Sequence, residues 1–136
     1  MPDKSTVIPY NSVRTMPLVL VVDDNQDNLS FACGSLDLLD CQHLVANNGK
    51  QALDLAVDRL PDLILMDIVM PEIDGITATQ VLKSNLITNH IPIIAVTGLA
   101  YAHHRELIMN AGCDGYLCKP YLIEDLESKL NSFLRA

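Results

Sequence analysis

No stretch of about 20 consecutive apolar residues, the length a helix needs to cross a bilayer, occurs in this chain. The first residues also lack the apolar segment of a secretory signal, so no membrane role is expected and the expected location is the cytoplasm. Basic residues are few: nine Lys and Arg stand against 17 Asp and Glu, for a formal net charge of −8. Binding to nucleic acid normally needs a basic patch or stripe, so no nucleic-acid partner is expected. Cys33, Cys41, Cys113 and Cys118 form no C-x-x-C pair and are not accompanied by histidines at zinc-finger spacing. They read as reduced small hydrophobes. A Ser/Thr/Gly-rich phosphate loop after the first apolar run is missing too, which counts against a flavin-binding module.

What is present is enough apolar material for one well-covered core. The 136 residues are 49% hydrophobic, and a chain of this size buries about two-thirds of the surface it exposes when unfolded. Residues 1–16 are polar, carry Pro2 and Pro9, and read as a flexible extension, leaving 17–136 as the domain. Short runs rich in branched residues, Leu18 to Val22, Leu63 to Met66 and Ile91 to Val96, read as strands buried on both faces. A weaker run, Leu44 to Ala46, suits an edge strand, and Tyr116 to Cys118 suits a fifth.

Between the runs the spacing turns helical. Leu29, Ala32, Leu36 and Leu39 form one stripe; Ala52, Leu53, Ala56 and Leu60 form a second; Ile76, Thr79, Leu82 and Leu86 form a third. Ala102, Leu107, Ile108 and Ala111 mark a fourth helix ended by Gly112, and Leu122, Leu126, Leu130, Phe133 and Leu134 mark a fifth that runs to Ala136. Regular alternation of strand and helix implies right-handed crossovers, hence an α/β fold with a doubly wound parallel sheet covered by helices on both faces.

In such a sheet, residues that follow successive strands converge along one edge. Asp23 and Asp24 end the first run, Asp67 the third, Thr97 the fourth and Lys119 the fifth. At an effective dielectric near 20, two like charges about 4 Å apart repel by roughly 4 kcal/mol, so clustered carboxylates should keep a proton or hold a cation. Mg2+ suits them, because it prefers oxygen ligands and is commonly held by one or two carboxylates together with phosphate oxygens. Lys119 supplies a second positive charge for a phosphate. The chemistry indicated is phosphoryl transfer with an aspartate as acceptor, giving an acyl phosphate. Taken singly, Asp67 reads equally as a capping or loop residue, Asp23 and Asp24 as caps of the next helix, and Lys119 as a solvated loop lysine.

Taken together, VVDD at 21–24, DIVMPEIDG at 67–75, TG at 97–98 and YLCKP at 116–120 resemble the receiver domain of two-component response regulators, from Leu18 to Ala136. The resemblance implies the flavodoxin-like strand order 2-1-3-4-5, that of the bacterial chemotaxis regulator. It also implies that Asp67 accepts phosphate from a sensor histidine kinase or a histidine phosphotransfer protein. Mg2+ would be held by Asp23, Asp24, Asp67 and the backbone carbonyl of Val69. Thr97 and Lys119 would bind the phosphate.

By the same resemblance Thr97 and Tyr116 form a switch that changes the face made by helix 4, strand 5 and helix 5. Tyr101, His103, His104 and Tyr121 lie in or beside that face and are possible partner contacts, with a homodimer among the possibilities. Val69 and Leu99, two residues after Asp67 and Thr97, offer no hydrogen bond to an attacking water, so slow loss of phosphate is expected. The role expected is that of a stand-alone phosphoacceptor signalling protein in a phosphorelay, not an enzyme with an external substrate. Two other readings remain open: a receiver cut from a hybrid kinase or longer regulator, and an aspartate-dependent phosphohydrolase, which usually needs a second acid where Val69 stands.

Overall fold

The computed structural model describes residues 16–70, 74–98 and 102–134, without the side chains of 102–104. Strands β1 (Leu18–Val22), β2 (Gln42–Ala46), β3 (Leu63–Asp67), β4 (Ile93–Thr97) and β5 (Gly115–Cys118) alternate with helices α1 (Gln26–Leu38), α2 (Gly49–Arg59), α3 (Gly75–Ser84), α4 (Ala102–Ala111) and α5 (Ile123–Leu134). All pairings are parallel and the order across the sheet is β2-β1-β3-β4-β5, as expected.

The central strands are apolar up to the polar residues that end β3 and β4, because each must fill a layer on both sides. Val19, Val21, Leu63, Leu65, Ile94 and Val96 pack with Leu29 and Leu36 of α1 and with Leu126 and Leu130 of α5. Their neighbours of opposite parity, Leu20, Val22, Ile64, Met66, Ile93 and Ala95, pack with the small residues of α2 and α3 and with Ile108 of α4. Each large side chain so enclosed is worth about 1.5–3 kcal/mol of burial. Polar caps fix three helix starts: Asn25 accepts from the Asn28 amide at 2.9 Å, Asn48 from Gln51 at 2.9 Å, and Asp74 from Thr77 at 2.7 Å. Since Asn25 caps α1, Asp23 and Asp24 are left for other work.

Several expected positions shift. The fourth strand begins at Ile93 rather than Ile91, because Pro92 has no N–H to give the ladder; its carbonyl still accepts from Ile64 at 2.9 Å. Leu86 does not continue the α3 stripe. The helix ends at Ser84, Leu86 is 88% exposed, and the buried position passes to Thr88, whose hydroxyl donates to the Leu82 carbonyl at 2.8 Å. Leu60 closes α2 with a φ of 46° and stays partly exposed, while Leu107 and Leu122 face outward. Gly112 takes a φ of 110° directly after α4, as its place in the sequence suggests. Among the described residues no helix is long and apolar enough to cross a membrane.

Candidate functional site

The parallel register brings the strand ends level. Asp67 pairs with Val96, and Thr97 with Cys118, so the residues that follow β1, β3, β4 and β5 share one edge. Asp23 is tied down by its own amide, which donates to the Ala46 carbonyl of β2 at 3.1 Å. Its carboxylate accepts from the Asn25 amide at 2.9 Å and from Lys119 Nζ at 3.3 Å. Asp67, the last residue of β3, is buried and accepts from the Val69 amide at 3.2 Å. Lys119 Nζ lies 3.5 Å from Asp67 Oδ1 and so stands between both aspartates. The Lys119 amide donates to the Thr97 carbonyl at 2.8 Å, which anchors the lysine to β4.

Gly75 holds the loop that follows Asp67. Its amide donates to the Ile68 carbonyl at 3.1 Å, and a Cβ at this position would run into the Asp67 carbonyl and the Ile68 Cα. Only a glycine lets the start of α3 come this close to the acceptor strand.

One carboxylate oxygen from each of Asp23, Asp24 and Asp67 lies within 4.8 Å of the other two. Asp24 is exposed, while Asp23 and Asp67 are buried. Burial, then repulsion from Asp23, pushes the Asp67 carboxyl up to about 6, against the opposing pull of Lys119 and the Val69 amide. One lysine therefore does not balance three carboxylates. A hard divalent cation fits this all-oxygen donor set and would supply the missing charge.

The remaining sequence candidates divide. Thr97 is buried at the end of β4, beside the carboxylate-bearing edge. Tyr116 is half-buried on the sheet face that carries α4, with the Arg105 guanidinium 5.2 Å and the Lys129 ammonium 5.7 Å from its ring centre. Val69 is 62% exposed. Tyr121 departs from expectation: it turns toward α1, not α4, and meets Phe31 edge-on with ring centres 5.4 Å apart. Tyr116 packs with the layer of α2, α3 and α4 and Tyr121 with the layer of α1 and α5, so the two do not share a face. Burial, then the charges of Asp23 and Cys33, pushes its phenol up to about 12. Tyr101, Leu99 and the side chains of His103 and His104 lie outside the described residues.

Gly75, with Asp74, reads in the sequence as part of a tight loop directly after the acceptor strand, and the structure places it there. Phe31, Arg105 and Lys129 were not singled out by sequence reasoning. Arg105 and Lys129 carried no signal, because only the packing of α4 and α5 brings them to Tyr116.

The family model described as response regulator receiver domain matches residues 19–131. The polar-differentiation response regulator DivK of Brucella anthropi is 37% identical over 116 residues, covering 85% of this chain and 94% of its own. Among solved structures, the chemotaxis protein CheY4 of Vibrio cholerae superposes with a TM-score of 0.84 at 25% identity, over 88% of this chain and 100% of that one. The receiver domain of a sensor histidine kinase from Pseudomonas aeruginosa gives a TM-score of 0.84 at 30% identity, over 90% of this chain and 100% of its own. That structure has a magnesium ion coordinated in the active site cleft.

Proposed function

The chain belongs to the response regulator receiver family, and on that premise we propose that Asp67 is the phosphoacceptor of a phosphorelay, charged by a phosphohistidine on a kinase or phosphotransfer protein. An oxygen of the ionised Asp67 carboxylate bonds to phosphorus as the phosphorus–nitrogen bond opposite it breaks, and the departing imidazole takes up a proton. The product is an aspartyl phosphate. The observation that carries the reading is Lys119 lying between Asp23 and Asp67, within 3.3 Å of one and 3.5 Å of the other. An ammonium so placed favours the ionised form of Asp67 and offers a point charge to the incoming phosphoryl oxygens.

Asp23, Asp24, Asp67 and the Val69 carbonyl would hold Mg2+, which when bound neutralises charge on the phosphoryl oxygens. The Thr97 hydroxyl would take a phosphate oxygen and, with Tyr116, pass the state to the face of α4, β5 and α5. The apolar stripe Phe31, Gly34 and Leu38 on α1 supports docking of a helical phosphodonor beside the site: Phe31 is 49% and Leu38 77% exposed, with open space above Gly34. Turnover of an external phosphate ester is disfavoured because Val69 offers no acid where such hydrolases place one.

Incubation with acetyl phosphate and Mg2+, followed by intact mass, tests the reading. A gain of one phosphoryl group that is lost in Asp67→Ala and in metal-free buffer is expected. No gain in a folded sample, beside a receiver that does react, would overturn it.

A further inference from the structure

A cavity of about 460 Å³ opens between α1 and the connection from β5 to α5, beside Asp23 and Lys119. Its floor is Val21, Leu65 and Val96, and its rim is Phe31, Pro120 and Tyr121. Small-molecule sites span about 300–1,000 Å³ and combine apolar walls with a few polar groups, which this cavity does. At the inner end Asp23 and Lys119 are paired with each other at 3.3 Å, so this lining carries no net charge. Asn28 and Tyr121 complete the polar lining, and neither the Asn28 side-chain amide nor the Tyr121 hydroxyl has a hydrogen-bond partner among the described residues.

From this we infer a binding site for a neutral, flat aromatic molecule of two or three rings carrying one hydrogen-bond donor. Phe31 and Tyr121 already meet at 64°, so a further ring can join them edge-to-face or offset. The donor meets the Asn28 side-chain oxygen or the Tyr121 hydroxyl. An anion is rejected because Asp23, Asp24 and Asp67 outnumber Lys119 at the nearby edge. A cation is drawn to that cluster and not to the apolar floor. Phe31 also belongs to the α1 stripe, so a filled cavity competes with the phosphodonor, a consequence that rests on the docking reading above.

The test is amide chemical-shift titration of the folded, metal-free protein with 2-naphthol, run beside naphthalene and 2-naphthoate. Saturable shifts confined to Asn28, Phe31, Ala32 and Tyr121 are expected, with naphthalene about tenfold weaker for want of the donor and naphthoate inert. Asn28→Ala combined with Tyr121→Phe removes both acceptors and keeps the ring that meets Phe31, so the double variant should weaken 2-naphthol and leave naphthalene unchanged. Shifts that never saturate, that spread equally over α2 to α4, or that appear as strongly with naphthoate would overturn the site. No phosphodonor enters the measurement, so its failure leaves the role of Asp67 standing, and failure of phosphorylation leaves the cavity standing.

Discussion

Lys119 Nζ lies 3.5 Å from Asp67 Oδ1, joining the end of β5 to the end of β3 across the intervening strand β4. The contact exists because β4 stops at Thr97 and its carbonyl takes the Lys119 amide at 2.8 Å, which sets where the lysine leaves the sheet. Replacing Lys119 by Ala removes the ammonium that favours the ionised acceptor and leaves Asp23 unopposed. Phosphoryl gain from acetyl phosphate should slow by about tenfold or more. Lys119→Arg should recover only part of it, since a planar guanidinium does not reproduce a compact ammonium. Equal rates in wild type and Lys119→Ala would remove Lys119 from the site.

Asp67 makes stability depend on pH in an unusual direction. Its folded-state value, about 6, stands above its ordinary value of 3.8. Between these values the folded chain holds a proton that the unfolded chain has lost, so this group's contribution to stability falls as pH rises through the window and stays low above it. Asp67→Asn should therefore stabilise the metal-free protein at pH 7 by about 1–2 kcal/mol, with the open side of the pocket moderating the effect. The gain should vanish near pH 4. Urea unfolding at the two pH values checks this, and a gain that is the same at both would show that the charge on Asp67 is not the cause. Mg2+ at pH 7 should raise the stability of the wild type more than that of the variant.

The strand ends were legible in the sequence because each apolar run stops at a polar residue, and a parallel sheet brings such stops together. The order of strands came with the family resemblance and not from periodicity. The direction of Tyr121 was not legible. Lying two residues beyond Lys119, it follows Pro120, and the path of that connection decides whether it meets α4 or Phe31 of α1. Leu86 misled for a related reason: helical spacing continues on paper past Ser84, but Thr88 satisfies the Leu82 carbonyl and takes the buried place.

Gly75→Ala tests how firmly the loop after β3 is held. The added Cβ meets backbone atoms of Asp67 and Ile68, which cannot rotate away as a flexible side chain would. A loss of about 1–3 kcal/mol is expected, together with slower phosphorylation as the acceptor strand is pushed from Lys119. Gly34→Ala is the comparison, because a Cβ there meets nothing within 4 Å and suits a helix better. Similar stability for the two variants would mean that the loop yields.

Val69 should set how long the phosphoryl group survives. It is 62% exposed at the rim, two residues after Asp67, and its amide already donates to Asp67 at 3.2 Å. Its side chain has no atom that can accept a proton from water or orient it toward phosphorus. Hydrolysis then depends on water arriving unassisted, and the phosphorylated protein should persist for minutes or longer. Val69→Asn places a carboxamide at the same rim, where it can hold a water in line with the acyl phosphate, and should shorten the lifetime by about severalfold. Val69→Ala, with less bulk and no polar atom, separates orientation from shielding: if it shortens the lifetime as much as Val69→Asn, steric cover is what protects the bond. Phosphoryl loss followed by intact mass after removal of acetyl phosphate measures all three, and a wild-type lifetime of seconds, unchanged in both variants, would end the assignment of this role to Val69.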